Sequence, residues 1–205
     1  MLTKIRRQDC LDQYQTFPLR GYDYSKDEET FFYPRVFKSY ILSLPSKSFK
    51  GHVKALGLEV TKLATVLQFD TLIFLGDTEI PWLYQHNDYK PAREAQEYLT
   101  SKKIGKGFNG ALQVDITELP LFIKHLTWLT RCNASLPYFH FIDQGQNIIG
   151  HICKYGNLHL DTLNEQTDEI SKQFVDSSRF EYGDNNSCDN WFGKTSAISG
   201  RKIVV

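Results

Sequence analysis

Residues 138–163 read YFHFIDQGQNIIGHICKYGNLHLDTL. Three short runs rich in aromatic and β-branched residues, 138–143, 148–153 and 158–162, are divided by Gln144-Gly145-Gln146 and Tyr155-Gly156-Asn157. Strand formers punctuated by glycine turns predict a three-stranded antiparallel meander. Three consecutive strands with no helix between them argue against a doubly wound parallel sheet, whose strands each need a crossover.

Upstream of the meander the period changes. Val53, Leu56, Val60, Leu63 and Leu67 recur at three- and four-residue steps, the apolar stripe of a helix over 52–67 with Ser48 as its N-cap. Gly57 in its middle is a local cost. The run 71–75, TLIFL, closes on Gly76-Asp77 and reads as a buried strand. Pro91 opens a second helix over 91–101, with Ala92, Ala95 and Leu99 as its stripe. A glycine turn at 105–110 leads into a strand at 111–115, and Thr117 caps a third helix that runs to about 131. A loosely alternating strand over 36–44 stops at Pro45.

This order predicts an α+β fold: a mixed or antiparallel sheet ending in a three-stranded meander, with about three helices packed mostly on one face. The 205 residues are expected to form a single domain. Residues 1–34 read as an irregular arm rich in aromatics. Residues 166–205 read as a polar extension whose last residues, Ile203-Val204-Val205, dock as a tail.

Lys+Arg and Asp+Glu balance at 24 each. No basic excess is present to neutralise phosphates, so nucleic acid is not an expected partner. A chain of zero net charge also offers little resistance to pairing with a second copy. Two arginines and an aspartate stand near the start where a signal peptide needs an apolar run, and no stretch approaches the roughly 20 apolar residues of a membrane span. The expectation is a soluble cytoplasmic protein with no membrane partner. Cys10, Cys132, Cys153 and Cys188 form no C-x-x-C pair and read as small buried hydrophobes.

Four constellations carry chemistry. Gly105 to Gly110 spells G-x-G-x-x-G, but a strand follows it where the dinucleotide fingerprint needs a helix. What survives is an anion-binding turn at Lys103 and Lys106. Asp77, Glu79 and Trp82 follow the buried strand at its carboxyl end, where open sheets commonly hold ligands. His125 and Trp128 lie on a second semi-apolar side of the third helix and suit an interface. In the meander, pairing 142 with 147 sets Tyr138, His140, Ile142, Ile149, His151 and Cys153 on one face, with His140 and His151 as diagonal neighbours. His140, His151 and Cys153 are zinc-type ligands. Carrying the alternation through the second turn sends His159 and Asp161 to the opposite face, beside Phe139, Phe141 and Ile152.

No motif demands a cofactor; zinc is the ion the His140/His151/Cys153 face would take. With no assembled catalytic set, the expected function is a non-catalytic intracellular protein-interaction domain, self-associating or neutralising a partner. The alternative is a small metal- or anion-dependent enzyme or ligand binder that uses the Asp77/Glu79 loop or the histidine face.

Overall fold

A computed structural model describes residues 1–133, 135–183 and 188. Within them run strands β1 (Leu2–Ile5), β2 (Leu19–Asp23), β3 (Glu28–Phe32), β4 (Lys38–Ser43), β5 (Thr71–Gly76), β6 (Ala111–Asp115), β7 (Phe139–Asp143), β8 (Ile148–Ile152), β9 (Leu158–Thr162) and β10 (Glu181–Tyr182). The helices are α1 (Arg7–Gln13), α2 (Phe49–Val66), α3 (Lys90–Ser101), α4 (Leu119–Cys132) and α5 (Glu165–Ser177). Eight strands form one sheet in the order β1-β6-β5-β7-β8-β9-β4-β10, antiparallel at every pairing. β2 and β3 make a separate two-stranded ribbon.

The α+β class and the β7-β8-β9 meander agree with the sequence reading, while the described helices number five where about three were expected. One face of the sheet carries the main core. Leu72, Phe74, Leu112, Phe141, Ile152 and Leu160 point there, against Leu56, Leu63, Leu99, Phe122 and Phe174 of the helices. The other face carries a smaller core of Ile73, Leu75, Ala111, Ile142 and Ile149, capped by Cys10 of α1 with Tyr14 and Phe17. Cores on both faces of the sheet explain why β5 and β7 are buried at nearly every position.

Ser48 caps α2 as expected, its hydroxyl accepting from the Gly51 N–H at 3.2 Å. Gly57 is more than a local cost. A Cβ there would stand 2.6 Å from the Pro120 carbonyl oxygen, so the missing side chain sets how closely α2 crosses α4. Gly150 plays the same part in the sheet: a Cβ would lie 2.2 Å from the Phe141 ring, which spreads across β8 in the space glycine leaves.

Two parts of the reading are corrected. The arm over 1–34 is not irregular. β1 pairs with β6, from Leu2 opposite Val114 to Ile5 opposite Ala111, and α1, β2 and β3 follow. The second correction concerns the meander faces. β7 and β8 pair as Ile142 opposite Ile149 and His140 opposite His151. This register is shifted by two residues from the expected one, so parity holds and the two histidines are direct partners. β8 and β9 pair as Ile152 opposite Leu158 and His151 opposite His159. Residues 153–157 form a five-residue connection, closed by Cys153 N–H to Asn157 O at 3.1 Å and Gly156 N–H to Cys153 O at 2.9 Å. An odd-length connection pairs odd positions with odd, and so His159 and Asp161 share the face of His151. The extension beginning at 166 continues in α5 and β10, and the docked tail at 203–205 lies outside the described residues. Among the described residues, no helix is long and apolar enough to cross a membrane.

Candidate metal centre

Three neighbouring strands each project one histidine from the α1 side of the sheet. His140, His151 and His159 stand in a row across β7, β8 and β9, with ring centroids 5.0 Å apart for the first pair and 4.4 Å for the stacked second pair. Cys153 lies two residues beyond His151 and therefore continues the same side. Cys188 completes the group: its Sγ is 3.2 Å from Cys153 Sγ and 3.2 Å from His159 Nε2. The donor atoms of Cys153, His159 and Cys188 all lie within 4.8 Å of one another.

The connection that carries Cys153 is held from three directions. His52 of α2 meets the Gly156 carbonyl through Nε2 at 2.8 Å and the Leu44 carbonyl through Nδ1 at 3.3 Å. Arg131 at the end of α4 donates to the Lys154 carbonyl at 3.1 Å. Asn157, itself buried, donates from Nδ2 to Cys188 Sγ at 3.2 Å. A short loop pinned to two helices gives the thiol and the imidazole a fixed separation.

Burial disfavours the charged form of the two inner imidazoles, His140 and His151. Burial holds the His140 pKa down to about 3, helped by the positive charge of Arg20 and by His159. Burial likewise puts His151 well below the usual imidazole range, with His140 and His159 adding to it. The hydrogen bond between the sulfurs lowers Cys188, with His159 and Asn157 acting in the same sense, and raises Cys153. The contact therefore favours negative charge on Cys188 over Cys153. His140 Nδ1 is buried and makes no hydrogen bond.

A cleft of about 470 Å³ opens alongside, lined by Tyr33, Ser39, Tyr40, Ile41, His151, His159 and Asp161. Tyr33 follows the β2–β3 ribbon; its hydroxyl donates to Asp161 Oδ2 and its ring meets His140 edge-on at 6.2 Å. Desolvation and the Asp161 bond raise the Tyr33 hydroxyl. His159 belongs to both the cleft wall and the thiol group.

The donor set suits a borderline-soft divalent ion. A tetrahedral zinc with sulfur at ~2.3 Å and nitrogen at ~2.0–2.1 Å sets its ligand atoms roughly 3.5–3.8 Å apart. The Cys153, His159 and Cys188 atoms need small adjustments of rotamer to reach that spacing. Two sulfurs and one imidazole leave a fourth position, the arrangement by which a reactive zinc differs from a closed structural one.

The structure brings together part of what the sequence suggested. Of the three expected ligands only Cys153 belongs to the three-donor group; His151, stacked on His159, and His140, one strand further, both stand outside it. The other candidates stand elsewhere. The Asp77 carboxylate is buried and accepts from Arg20 Nε at 2.5 Å, Arg20 Nη2 at 3.2 Å and the Tyr138 N–H at 3.1 Å, tying the ribbon to the sheet. Glu79 is exposed next to it, and Trp82 fills the core. Lys103 and Lys106 are exposed on the turn that leads to β6, two strands from β7. His125 is buried and stacked on Tyr98 at 4.4 Å, whereas Trp128 is half-buried between Phe49 and Tyr89.

His159, Cys188, Tyr33 and Asp161 were missed as members of one site. For His159 and Asp161 the signal was present in the alternation, and the length of the 153–157 connection reversed it. Cys188 is 35 residues from its sulfur partner and carries no local signature. Comparison of the chain with models of protein families, with curated proteins and with solved structures finds no match.

Proposed function

We propose that this chain is a small metal-dependent ligand binder that holds one zinc-type divalent ion through Cys153, His159 and Cys188. The observation that carries the reading is the convergence of two sulfurs and an imidazole nitrogen, from two separate stretches of chain, within 4.8 Å, with the imidazole also lining a cleft. A bound ion of this kind supplies Lewis acidity and lowers the pKa of a water in its fourth position. The chain's own contribution is the fixed spacing of the donors and an acceptor, Asp161, held by Tyr33 in the same cleft.

Elemental analysis of purified protein is expected to give one zinc per chain. Cobalt substitution should add an intense visible spectrum and a sulfur-to-metal charge-transfer band. Cys188→Ser and His159→Ala are each expected to weaken binding by at least about 100-fold, the upper range for losing even an outer partner of a ligand. His140→Ala, which removes an imidazole outside the donor group, should keep the metal. Affinity should fall with acid, because thiolates and neutral imidazole are the binding forms. Metal retained by both ligand variants, or no metal retained by the unaltered chain, sinks the reading.

The ribbon supports a second reading, protein interaction by self-association. Tyr24 is 89% exposed and Phe31 63%, with Tyr22 and Phe32 beside them about half exposed. Aromatic rings left in water on a two-stranded ribbon are common anchors of interfaces. The zero net charge leaves the approach of a second copy unopposed. Light scattering should then report a dimer that Phe31→Ser converts to monomer with an unchanged circular dichroism spectrum. A monomer at high protein concentration removes this reading.

A further inference from the structure

We propose that Cys188 and Cys153 are a thiol–disulfide exchange pair that reduces low-molecular-weight disulfides, with Cys188 as the attacking sulfur and Cys153 as the resolving one. The inference stands on sulfur geometry and does not need the metal. The two Sγ atoms are 3.2 Å apart and unbonded. A disulfide at ~2.05 Å requires them to close by roughly 1.2 Å, within the reach of side-chain rotation.

The two sulfurs are not equivalent. Cys153 is buried at 7% exposure, while Cys188 is partly exposed. An incoming disulfide can reach Cys188, and Cys153 waits behind it. Asn157 Nδ2 donates to Cys188 Sγ and His159 Nε2 contacts it, each at 3.2 Å, so polar groups surround the sulfur that must carry charge during attack. The other cysteines lack this arrangement: Cys10 is sealed in the smaller core, and Cys132 ends α4.

The chemistry balances with the disulfide as the oxidant. Cys188 Sγ bonds to one sulfur of RSSR, the S–S bond breaks, and the first RS⁻ leaves. Cys153 Sγ then bonds to Cys188 Sγ, the mixed S–S bond breaks, and the second RS⁻ leaves. The two thiol protons end on the two released RSH molecules. The protein dithiol is oxidised by two electrons and one disulfide is reduced to two thiols.

The test uses the full chain with oxidised glutathione, after chelator treatment and again with saturating zinc. In the chelated sample two of the four free thiols should disappear, and peptide mapping should find Cys153 joined to Cys188. Cys153→Ser should stop at the first step with a glutathionyl adduct on Cys188, formed on the order of tenfold faster than on Cys10 or Cys132. Cys188→Ser should show neither adduct nor bridge, with Cys188→Ala and circular dichroism confirming that folding is intact. Equal labelling of Cys132 and Cys188, or four thiols persisting in the folded chelated chain, overturns the pair. Zinc that binds and blocks exchange supports both readings. Exchange that proceeds equally with zinc present supports the pair and counts against the metal. Bound zinc without exchange in the chelated chain removes the pair alone.

Discussion

Trp82→Ala will lower the unfolding free energy by about 3–5 kcal/mol, the range for emptying a buried tryptophan site. Trp82 is among the largest side chains buried to 1% exposure. Its indole lies flat on Phe139 with centroids 3.8 Å apart and meets Phe122 edge-on at 6.1 Å. Its Nε1–H donates to the Gly110 carbonyl at 2.8 Å, and its backbone N–H donates to Phe108 O at 3.0 Å. One residue therefore ties the segment after β5 to the turn entering β6 and to the first residue of β7. Trp82→Phe keeps most of the ring contact but leaves the Gly110 oxygen without its donor, so it should cost less, about 1–3 kcal/mol. Urea unfolding checks both variants: the midpoint should fall with an unchanged slope. Zinc stoichiometry should be the same in all three proteins. A loss below about 1 kcal/mol for the alanine variant would return Trp82 to the role of a cleft residue, as its loop position in the sequence suggested.

The contrast between Trp82 and His159 shows what the sequence could say. β5 was legible because a strand covered on both faces writes its burial into every position, and Leu72 to Leu75 are all buried. The meander was legible because glycine turns separate its strands. α1 was not: it has seven residues, one of them buried, too few to repeat an apolar stripe. β1 is an edge strand of four residues whose role depends on β6, far along the chain. Trp82 was misplaced because a tryptophan after a strand reads alike whether it plugs a core or lines a cleft.

For the candidate centre the limit was register. Alternation assigns faces within a strand, and a connection of one more or one fewer residue inverts the next strand wholesale. The β7–β8 pairing slipped by two residues, which left His140 and His151 together. Residues 153–157 changed parity, and that brought His159 to them. Cys188 then meets Cys153 only through the folded path of the chain. The same geometry that makes a metal group also makes a redox pair, because both need sulfurs within bonding reach and one side open. What divides them is the third donor: a metal needs His159 as ligand, whereas exchange needs only the two sulfurs.

Acid will destabilise the protein from about pH 6.5 downward, before its carboxylates titrate. Burial first, and then Lys124, holds His125 down to about 4; burial, Arg20 and His159 hold His140 down to about 3. The Nδ1 atoms of both are buried without a hydrogen bond, so an added proton there finds no acceptor. In the unfolded chain each imidazole has a pKa near 6.5. Below that value the unfolded state takes a proton that the folded state refuses. The stability these residues contribute is whole above pH 6.5 and is lost as pH falls toward their folded values. Two units below, at pH 4.5, each costs about 2–3 kcal/mol. Together that is about 5 kcal/mol, comparable to the whole stability of many domains. His52 and His151 are also lowered by burial and steepen the loss. The lowered carboxylates Asp168 and Glu118 add their own loss only at more acid pH, so the window between 6.5 and 4.5 belongs to imidazole. His125→Phe keeps the stack on Tyr98 and removes one titrating ring. Urea midpoints measured across that window should give a slope shallower by up to about 1.4 kcal/mol per pH unit in this variant. A midpoint that stays level from pH 6.5 to 4.5 in the unaltered chain would mean that the folded protein accepts these protons, and that the imidazoles are not sealed in the core.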